Sequence, residues 1–155
     1  MSDEKYQVAF NYVLRLLSRY PRTVHEIRTK LAQKKYQSDI IDKVLAELAN
    51  AGQLDDRAYT ARWLEAQLQN RPCGRLLCRK KLGQRGVETE LIDQALTENY
   101  PPEKELALAQ KMAQQKEEIL STRSDKKNRQ QKVALYLKNK GFAGNVIYEV
   151  LNKET

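Results

Sequence analysis

The sequence predicts an all-α fold in which three tandem three-helix repeats form an elongated, curved array. A stretch of fifteen residues recurs at 31–45, 82–96 and 137–151, and its apolar residues occupy the same slots each time. The last apolar residues of each copy share the spacing of Ile40, Ile41, Val44 and Leu45, which gathers them on one helical face. No stretch alternates apolar and polar residues as a half-buried strand would. Recurrence of this kind is typical of tandem structural units.

The repeats divide the chain into three predicted domains of three helices each: residues 1–53, 54–100 and 101–155. In each repeat, a long first helix precedes a second helix that ends in a tight turn, and a third helix closes the unit. Thr23-Val-His-Glu26 is a capping-box pattern, and it predicts the start of the second helix in the first repeat.

The turn before the third helix needs a residue in the left-handed conformation. Gly86 and Gly141 supply it in the second and third repeats, as glycine does at the ends of many helices. Lys35 stands in this slot in the first repeat. We expect Lys35 either to adopt the left-handed conformation at a cost of about 1 kcal/mol or to make a different turn.

The charge of the chain is sorted by repeat position. The 155 residues include 28 Lys and Arg and 20 Asp and Glu, for a net charge of +8. Three segments, one in each repeat, hold most of the basic residues: Arg22–Lys35, Arg71–Gly86 and Arg123–Lys140. Together these 48 residues carry +16, while the other 107 carry −8. A solvated helix surface is the plainer interpretation, but such surfaces mix both signs. The segregation therefore indicates a polyanionic partner.

The predicted contact residues are basic side chains of the second helix of each repeat, or of the turn after it. Their role would be to pair with nucleic-acid phosphates or with an acidic protein surface. The set is centred on Arg75, Arg79, Lys80, Lys81 and Arg85, with Arg28, Lys127, Arg129 and Lys132 flanking it.

The residues do not predict an enzyme, a metal site or a cofactor. His25 is the one histidine, and its place inside the capping box favours a structural or exposed role. Asp55 and Asp56 are candidate metal ligands, but two acids at a helix start are more typical of a cap. No glycine-rich phosphate-binding loop is present.

The two cysteines do not predict a disulfide framework or a zinc site. Cys73 and Cys78 are too few for a framework and lack the spacing of zinc ligands. Cys78 aligns with Ile27 and Val133 of the other repeats, so we interpret it as a small core residue.

The hydropathy pattern predicts a cytoplasmic protein without a membrane segment. No run of 18 apolar residues is present, so no membrane-spanning helix is expected. The first residues, Met-Ser-Asp-Glu-Lys, lack the basic and apolar regions of a signal peptide.

Two stretches of this sequence resemble a known family. Residues 51–59, Ala-Gly-Gln-Leu-Asp-Asp-Arg-Ala-Tyr, resemble the Gly-x-Leu-Asp-Asp-x-x-aromatic signature of the RecX family, bacterial regulators of the RecA recombinase. Gly74 together with residues 82–87, Leu-Gly-Gln-Arg-Gly-Val, is similar to the family's Gly-x-x-x-Ile-x-x-x-Leu-x-x-Lys-Gly-Ile run. The chain departs from the family at Cys78, where Ile is usual, at Pro72, where a second glycine is common, and at Lys35.

The resemblance implies a regulator without enzymatic activity. RecX proteins bind the RecA–single-stranded-DNA filament along its groove, inhibit its ATPase and strand exchange, and damp the SOS response. They thereby limit homologous recombination and DNA repair by RecA. Family members also bind DNA directly, which implies single- or double-stranded DNA as a further partner, and we expect the free chain to be a monomer. The residues alone leave two alternatives open: a stand-alone nucleic-acid-binding helical module that acts without RecA, and a helical protein–protein adaptor.

Overall fold

The computed structural model describes residues 2–121 and 125–153, and each regular element in them is an α-helix. The helices, in chain order, are α1 Ser2–Arg19, α2 Val24–Gln33, α3 Ser38–Asn50, α4 Asp56–Asn70, α5 Arg75–Gln84, α6 Thr89–Asn99, α7 Pro102–Leu120, α8 Lys126–Asn139 and α9 Gly144–Lys153. Each consecutive group of three makes one repeat, so the predicted all-α, three-helix repeat fold is confirmed. Arg123, the first residue of the third basic segment, lies outside the described residues.

The described chain forms two compact units, each of which is discontinuous in sequence. Unit 1 contains the described part of Met1–Arg62 together with Leu82–Ile92. Unit 2 contains Trp63–Lys81 together with the described part of Asp93–Thr155. The second repeat therefore contributes residues to both units. The repeat boundaries after residues 53 and 100 stay a prediction.

The core of unit 1 lies where α1 and α2 pack against α3. Leu31 and Val44, which occupy recurring apolar slots, have no exposed surface. Full burial of one such side chain contributes roughly 1.5–3 kcal/mol. The buried members of this core are Ala9, Val13, Ile27, Leu31, Ile40, Ile41, Val44, Leu45, Leu48 and Leu54.

The core of unit 2 repeats the pattern with α7, α8 and α9, which pack against one another. Leu137 and Val150 hold the slots of Leu31 and Val44 and are buried in the same way. The buried members of this core are Ala109, Met112, Ala113, Leu120, Val133, Leu137, Phe142 and Val150.

The start of α2 is fixed by the predicted capping box. The Thr23 hydroxyl oxygen accepts a hydrogen bond from the Glu26 amide at 3.1 Å, and the Glu26 carboxylate accepts one from the Thr23 amide at 3.0 Å. Two amides that a helix start leaves without partners are thus satisfied.

Residues of the following repeat also hold this helix start. The Thr23 hydroxyl donates to the Arg85 carbonyl oxygen at 2.6 Å, and the Val24 amide donates to Asp56 Oδ1 at 2.9 Å. Asp55 caps its own helix, because its Oδ1 accepts hydrogen bonds from the amides of Arg57 and Ala58, each at 3.1 Å. Both carboxylates of the Asp55-Asp56 motif therefore serve helix starts, as the cap interpretation predicts.

The start of α5 in unit 2 is held in a corresponding way. The Gly74 amide donates to the Lys140 carbonyl oxygen at 2.7 Å, and the Arg75 amide donates to Glu105 Oε2 at 2.7 Å. The Glu105 side chain is buried, and its carboxylate suits the positive end of the helix dipole. In both cases the second helix of one repeat is held by two groups of the next repeat. One is a backbone carbonyl oxygen at the end of that repeat's second helix, and the other is a carboxylate of its first helix.

The turn glycines are required by conformation and by space. Gly86 has a φ of 83° and Gly141 a φ of 87°, both in the left-handed region. A Cβ on Gly86 would overlap the His25 side chain, and a Cβ on Gly141 would overlap Leu77. The turn of one repeat therefore packs directly on the second helix of the repeat before it.

Lys35 occupies the same slot with a φ of 66°, so it adopts the left-handed conformation despite its side chain. Replacing Lys35 with glycine should therefore stabilise the protein by about 1 kcal/mol, measured by urea unfolding. Lys34→Gly is the matched control, because Lys34 has a φ of −80° and gains nothing from glycine. Equal effects of the two substitutions would contradict this account.

Candidate nucleic-acid interface

The nine predicted contact residues lie on or directly after the second helix of each repeat. In unit 1, Arg28 is on α2 and Arg85 follows α5, and both are exposed. The other seven belong to unit 2, where the most exposed are Arg79, Lys80, Lys127 and Lys132, while Arg75, Lys81 and Arg129 are half-buried.

Two of these arginines already pair with an acid of the neighbouring helix. Arg28 Nη1 lies 2.9 Å from Asp42 Oδ1, and Arg79 Nη2 lies 2.9 Å from Asp93 Oδ1. All four side chains keep about half or more of their surface exposed. Exposed pairs of this kind contribute only about 0–1 kcal/mol, so a polyanion competes with them at little cost.

Two further arginines make weaker or different contacts. Arg85 Nη1 donates a hydrogen bond to the Tyr59 hydroxyl oxygen at 3.2 Å within unit 1. Arg129 Nε lies 3.9 Å from Glu117 Oε1, at the limit of an ion pair. Tyr59 is buried at this contact, and burial raises the pKa of its hydroxyl even though Arg85 opposes the shift. The tyrosine is therefore neutral and orients the Arg85 guanidinium.

A groove runs beside α5 and α8 in unit 2, with a volume of about 550 Å³. We call it the α5–α8 groove; its lining residues are Gln67, Asn70, Arg71, Pro72, Cys73, Leu77, Lys81, Met112, Gln115, Tyr136 and Lys140. Three of these described residues are basic and none is acidic. Amide and basic side chains around an open groove make a favourable site for phosphate groups.

Tyr136 in this groove is flanked by cations. Lys116 Nζ lies 5.1 Å and Lys140 Nζ 5.9 Å from the centre of its ring. Cations near the face of an aromatic ring are attracted by its electron density. The contact with Lys116 holds one further positive charge close to the α5–α8 groove, in addition to Lys140, which lines it.

A second groove in unit 2 combines cations with apolar surface. Its volume is about 710 Å³, and we call it the α5–α9 groove; it is lined by Leu76, Leu77, Lys80, Lys138, Asn139, Gly141, Phe142, Ala143, Gly144 and Ile147. Leu76 keeps 54% of its surface exposed beside Lys80. Such a surface can contact an apolar group and an anion together.

Several basic residues that line these grooves or lie beside them are not among the predicted contacts. Lys138 and Lys140 lie in the third basic segment and Arg71 in the second, so the charge pattern was a sufficient signal for them. Lys116 belongs to α7, outside the basic segments, and no sequence feature pointed to it. Of the predicted set, the structure places Lys80 and Lys81 in the two grooves.

Comparison with known proteins identifies the family. Residues 9–48 match the family model of the RecX first three-helix domain, and residues 55–96 match that of the second. A regulatory protein RecX of Chlorobaculum tepidum is 32% identical over 151 residues, which cover 97% of this chain and 91% of the relative. The chain belongs to the RecX family. The regulatory protein RecX of Chlorobium phaeobacteroides is 28% identical over 153 residues, covering 99% of the RecX-family chain and 97% of the relative.

Solved RecX structures share the fold of this RecX-family chain. A crystal structure of regulatory protein RecX superposes with a TM-score of 0.83 at 27% identity and covers 97% of this chain and 73% of that one. RecX from Lactobacillus salivarius superposes with a TM-score of 0.89 at 20% identity over 97% of both chains. The first structure, at 27% identity, agrees with the family relationship as well as with the fold. The second, at 20% identity, supports the fold alone.

Among residues 2–121 and 125–153, none of the helices combines the length and the apolar character needed to cross a lipid bilayer. The same residues contain no cluster of three or more His, Cys, Asp or Glu side chains that could hold a metal ion.

Proposed function

We propose that the chain binds the RecA–single-stranded-DNA filament and inhibits RecA ATPase, recombinase and SOS-inducing activities, without being an enzyme itself. The observation that carries this proposal is the pair of grooves beside α5, whose charged lining residues are all basic. Membership of the RecX family supplies the regulatory role. RecA acts in the cytoplasm, so the same location is proposed for the chain.

The charge arrangement of unit 2 suits a partner that carries phosphates. Lys80 and Lys81 are neighbours on α5 but line different grooves, so α5 presents cations in two directions. Each phosphate that a cation neutralises releases a condensed counterion, and this release is a main source of affinity for nucleic acid. We therefore propose Arg75, Arg79, Lys80 and Lys81 as the central contacts, together with Arg85 directly after α5, and the basic residues of α8 as flanking contacts.

Inhibition of RecA is tested by adding the purified chain to RecA on single-stranded DNA and measuring ATP hydrolysis. We expect the rate to fall as the ratio of chain to RecA rises. Co-sedimentation with RecA filaments and with naked single-stranded DNA separates the partners. An ATPase rate that stays constant at every ratio would refute the proposal. Equal affinity for naked and RecA-coated DNA at physiological salt would instead favour the stand-alone nucleic-acid-binding module.

The Arg79–Asp93 ion pair provides a gain-of-affinity test. Asp93→Asn removes the carboxylate that competes for Arg79, and we expect binding to the filament to tighten about two- to fivefold at low salt, in line with the energy of an exposed pair. Affinity is measured by co-sedimentation over a range of salt concentrations. Glu65→Gln on the exposed surface of α4 is the control, because it changes the net charge by the same amount. An equal gain in affinity for both variants would mean that the change in net charge, and not the release of Arg79 from Asp93, causes the tighter binding.

A further inference from the structure

Two thiols meet at the start of α5. Cys73 lies just before Gly74 and α5, and Cys78 lies one turn into the helix. Their sulfur atoms are 3.4 Å apart, and both cysteines are free. The contact belongs entirely to unit 2, and Cys73 lines the α5–α8 groove without being one of the proposed basic contacts.

The surroundings of Cys73 differ from those of an inert buried cysteine. Cys73 lines the α5–α8 groove together with Lys81 and Lys140, and Gln67 Nε2 donates a hydrogen bond to its sulfur at 3.7 Å. It also stands at the helix N-terminus, where the backbone dipole favours negative charge. Only 2% of its surface is exposed, so the groove is the route by which a small molecule reaches the sulfur.

These contacts divide the pair into an acidic and a non-acidic thiol. The hydrogen bond between the two sulfurs lowers the pKa of Cys73 to about 7 against the effect of burial, and Gln67, Lys81 and Lys140 add to the lowering. The same hydrogen bond and burial raise the pKa of Cys78. At pH 7, about half of the Cys73 thiol is therefore ionised, in contact with a protonated Cys78.

We infer that Cys73 and Cys78 form an oxidation site, at which a hydroperoxide converts the two thiols into an intramolecular disulfide. The Cys73 thiolate attacks one peroxide oxygen, the O–O bond breaks, and the sulfur becomes a sulfenic acid while the other oxygen leaves as water or an alcohol. The Cys78 sulfur then attacks the Cys73 sulfur, the S–O bond breaks, and a second oxygen leaves as water. The two thiols lose two electrons, and the peroxide gains them.

Closing the disulfide requires the sulfur atoms to approach from 3.4 Å to the bonded distance of about 2.05 Å. We expect the loop before α5, which carries Cys73, to move in this step. The Cys73 carbonyl oxygen accepts a hydrogen bond from the buried Tyr100 hydroxyl at 2.7 Å. The next residue, Gly74, donates its amide to the Lys140 carbonyl oxygen. Oxidation therefore acts on a loop that these two hydrogen bonds hold in place directly before the basic helix α5.

The reaction is tested on the full chain at pH 7 with hydrogen peroxide, by counting free thiols and measuring the intact mass. We expect both thiols to disappear with a mass loss of about 2 Da, and dithiothreitol to restore them. Closure of the disulfide should be several-fold faster in the native chain than in the urea-unfolded chain, because the native chain holds the two sulfur atoms 3.4 Å apart. A thiol of pKa about 7 is roughly half ionised at this pH, whereas an ordinary thiol is ionised to a few per cent.

Variants separate the roles of the two sulfurs. Cys78→Val suits the core, since Ile27 and Val133 hold the same slot in the other repeats. In this variant Cys73 should react more slowly, because the hydrogen bond that lowers its pKa is lost, and it should stop at the sulfenic acid, about 16 Da heavier. In Cys73→Ser the remaining thiol should stay reduced. Slower oxidation of the native wild-type chain than of the unfolded chain, or products without the 2-Da loss, would overturn the inference. RecA is not involved in any of these measurements, so they stand apart from the proposed filament binding.

Discussion

Replacing both Arg79 and Lys80 with glutamate should weaken inhibition of RecA ATPase by roughly tenfold or more, which corresponds to about 1.4 kcal/mol of binding free energy. Both side chains are exposed on α5, and Lys80 also lines the α5–α9 groove. The double reversal removes two favourable contacts with phosphates and introduces two repulsive ones. It should also make binding less sensitive to salt, because fewer counterions are released. The measurements are ATPase titrations and co-sedimentation at several salt concentrations.

A matched variant controls for the total charge. Lys104 and Lys111 are exposed on α7, and converting both to glutamate changes the net charge by the same amount. This control should bind nearly as well as the original chain. Arg79→Glu also faces Asp93, so thermal unfolding must show that the double variant is folded. A folded Arg79→Glu, Lys80→Glu protein that inhibits as well as the control would place the contact elsewhere.

The second large effect is expected from Gly74→Ala. A methyl group on Gly74 would overlap the backbone of Gly141 and Phe142, which cannot move aside as a flexible side chain can. Any shift would also stretch the hydrogen bond from the Gly74 amide to the Lys140 carbonyl oxygen. We expect the free energy of unfolding to fall by about 3 kcal/mol, at the upper end of the usual cost of overpacking. Urea unfolding followed by circular dichroism measures this loss.

Gly144→Ala is the control for this substitution, because a Cβ at Gly144 has no atom within 4 Å. Its effect should stay within about 0.5 kcal/mol, as for most surface substitutions. Similar stabilities of the two variants would mean that the start of α5 and the α8–α9 turn are less closely packed than described. A selective loss in Gly74→Ala would establish this contact as a main support of unit 2.

Much of the fold was predictable because it depends on signals local in sequence. The capping box at Thr23 and the left-handed turns at Gly86 and Gly141 each follow from one or two residue types. Apolar periodicity was less reliable at the ends of long helices. Ile119 continues the apolar stripe of α7, and yet 64% of its surface is exposed. Periodicity shows that a residue lies on the apolar face of its helix, but it does not show whether the neighbouring helices extend far enough to cover that residue.

The candidate site was predictable only at the level of the helix. The charge pattern identified α5 and α8, but the pairing of Arg79 with Asp93 depends on how α5 and α6 are offset along their axes. The contact of Cys73 with Cys78 likewise depends on the path of the loop before α5, and the sequence supported only a core role for Cys78. Whether the nine predicted basic residues are the contacts stays a prediction.

The division of the second repeat between the two units limits how the protein can be dissected. Unit 1 is completed by residues 82–92, and unit 2 begins again only at residue 93. A fragment that ends at residue 62 lacks the Arg85 carbonyl oxygen that accepts the hydrogen bond from the Thr23 hydroxyl, and a fragment that starts at residue 93 lacks the cysteine loop and all of α5. No single proteolytic cut releases both halves intact, so activity mapped on truncated pieces would report damaged folding rather than the location of binding.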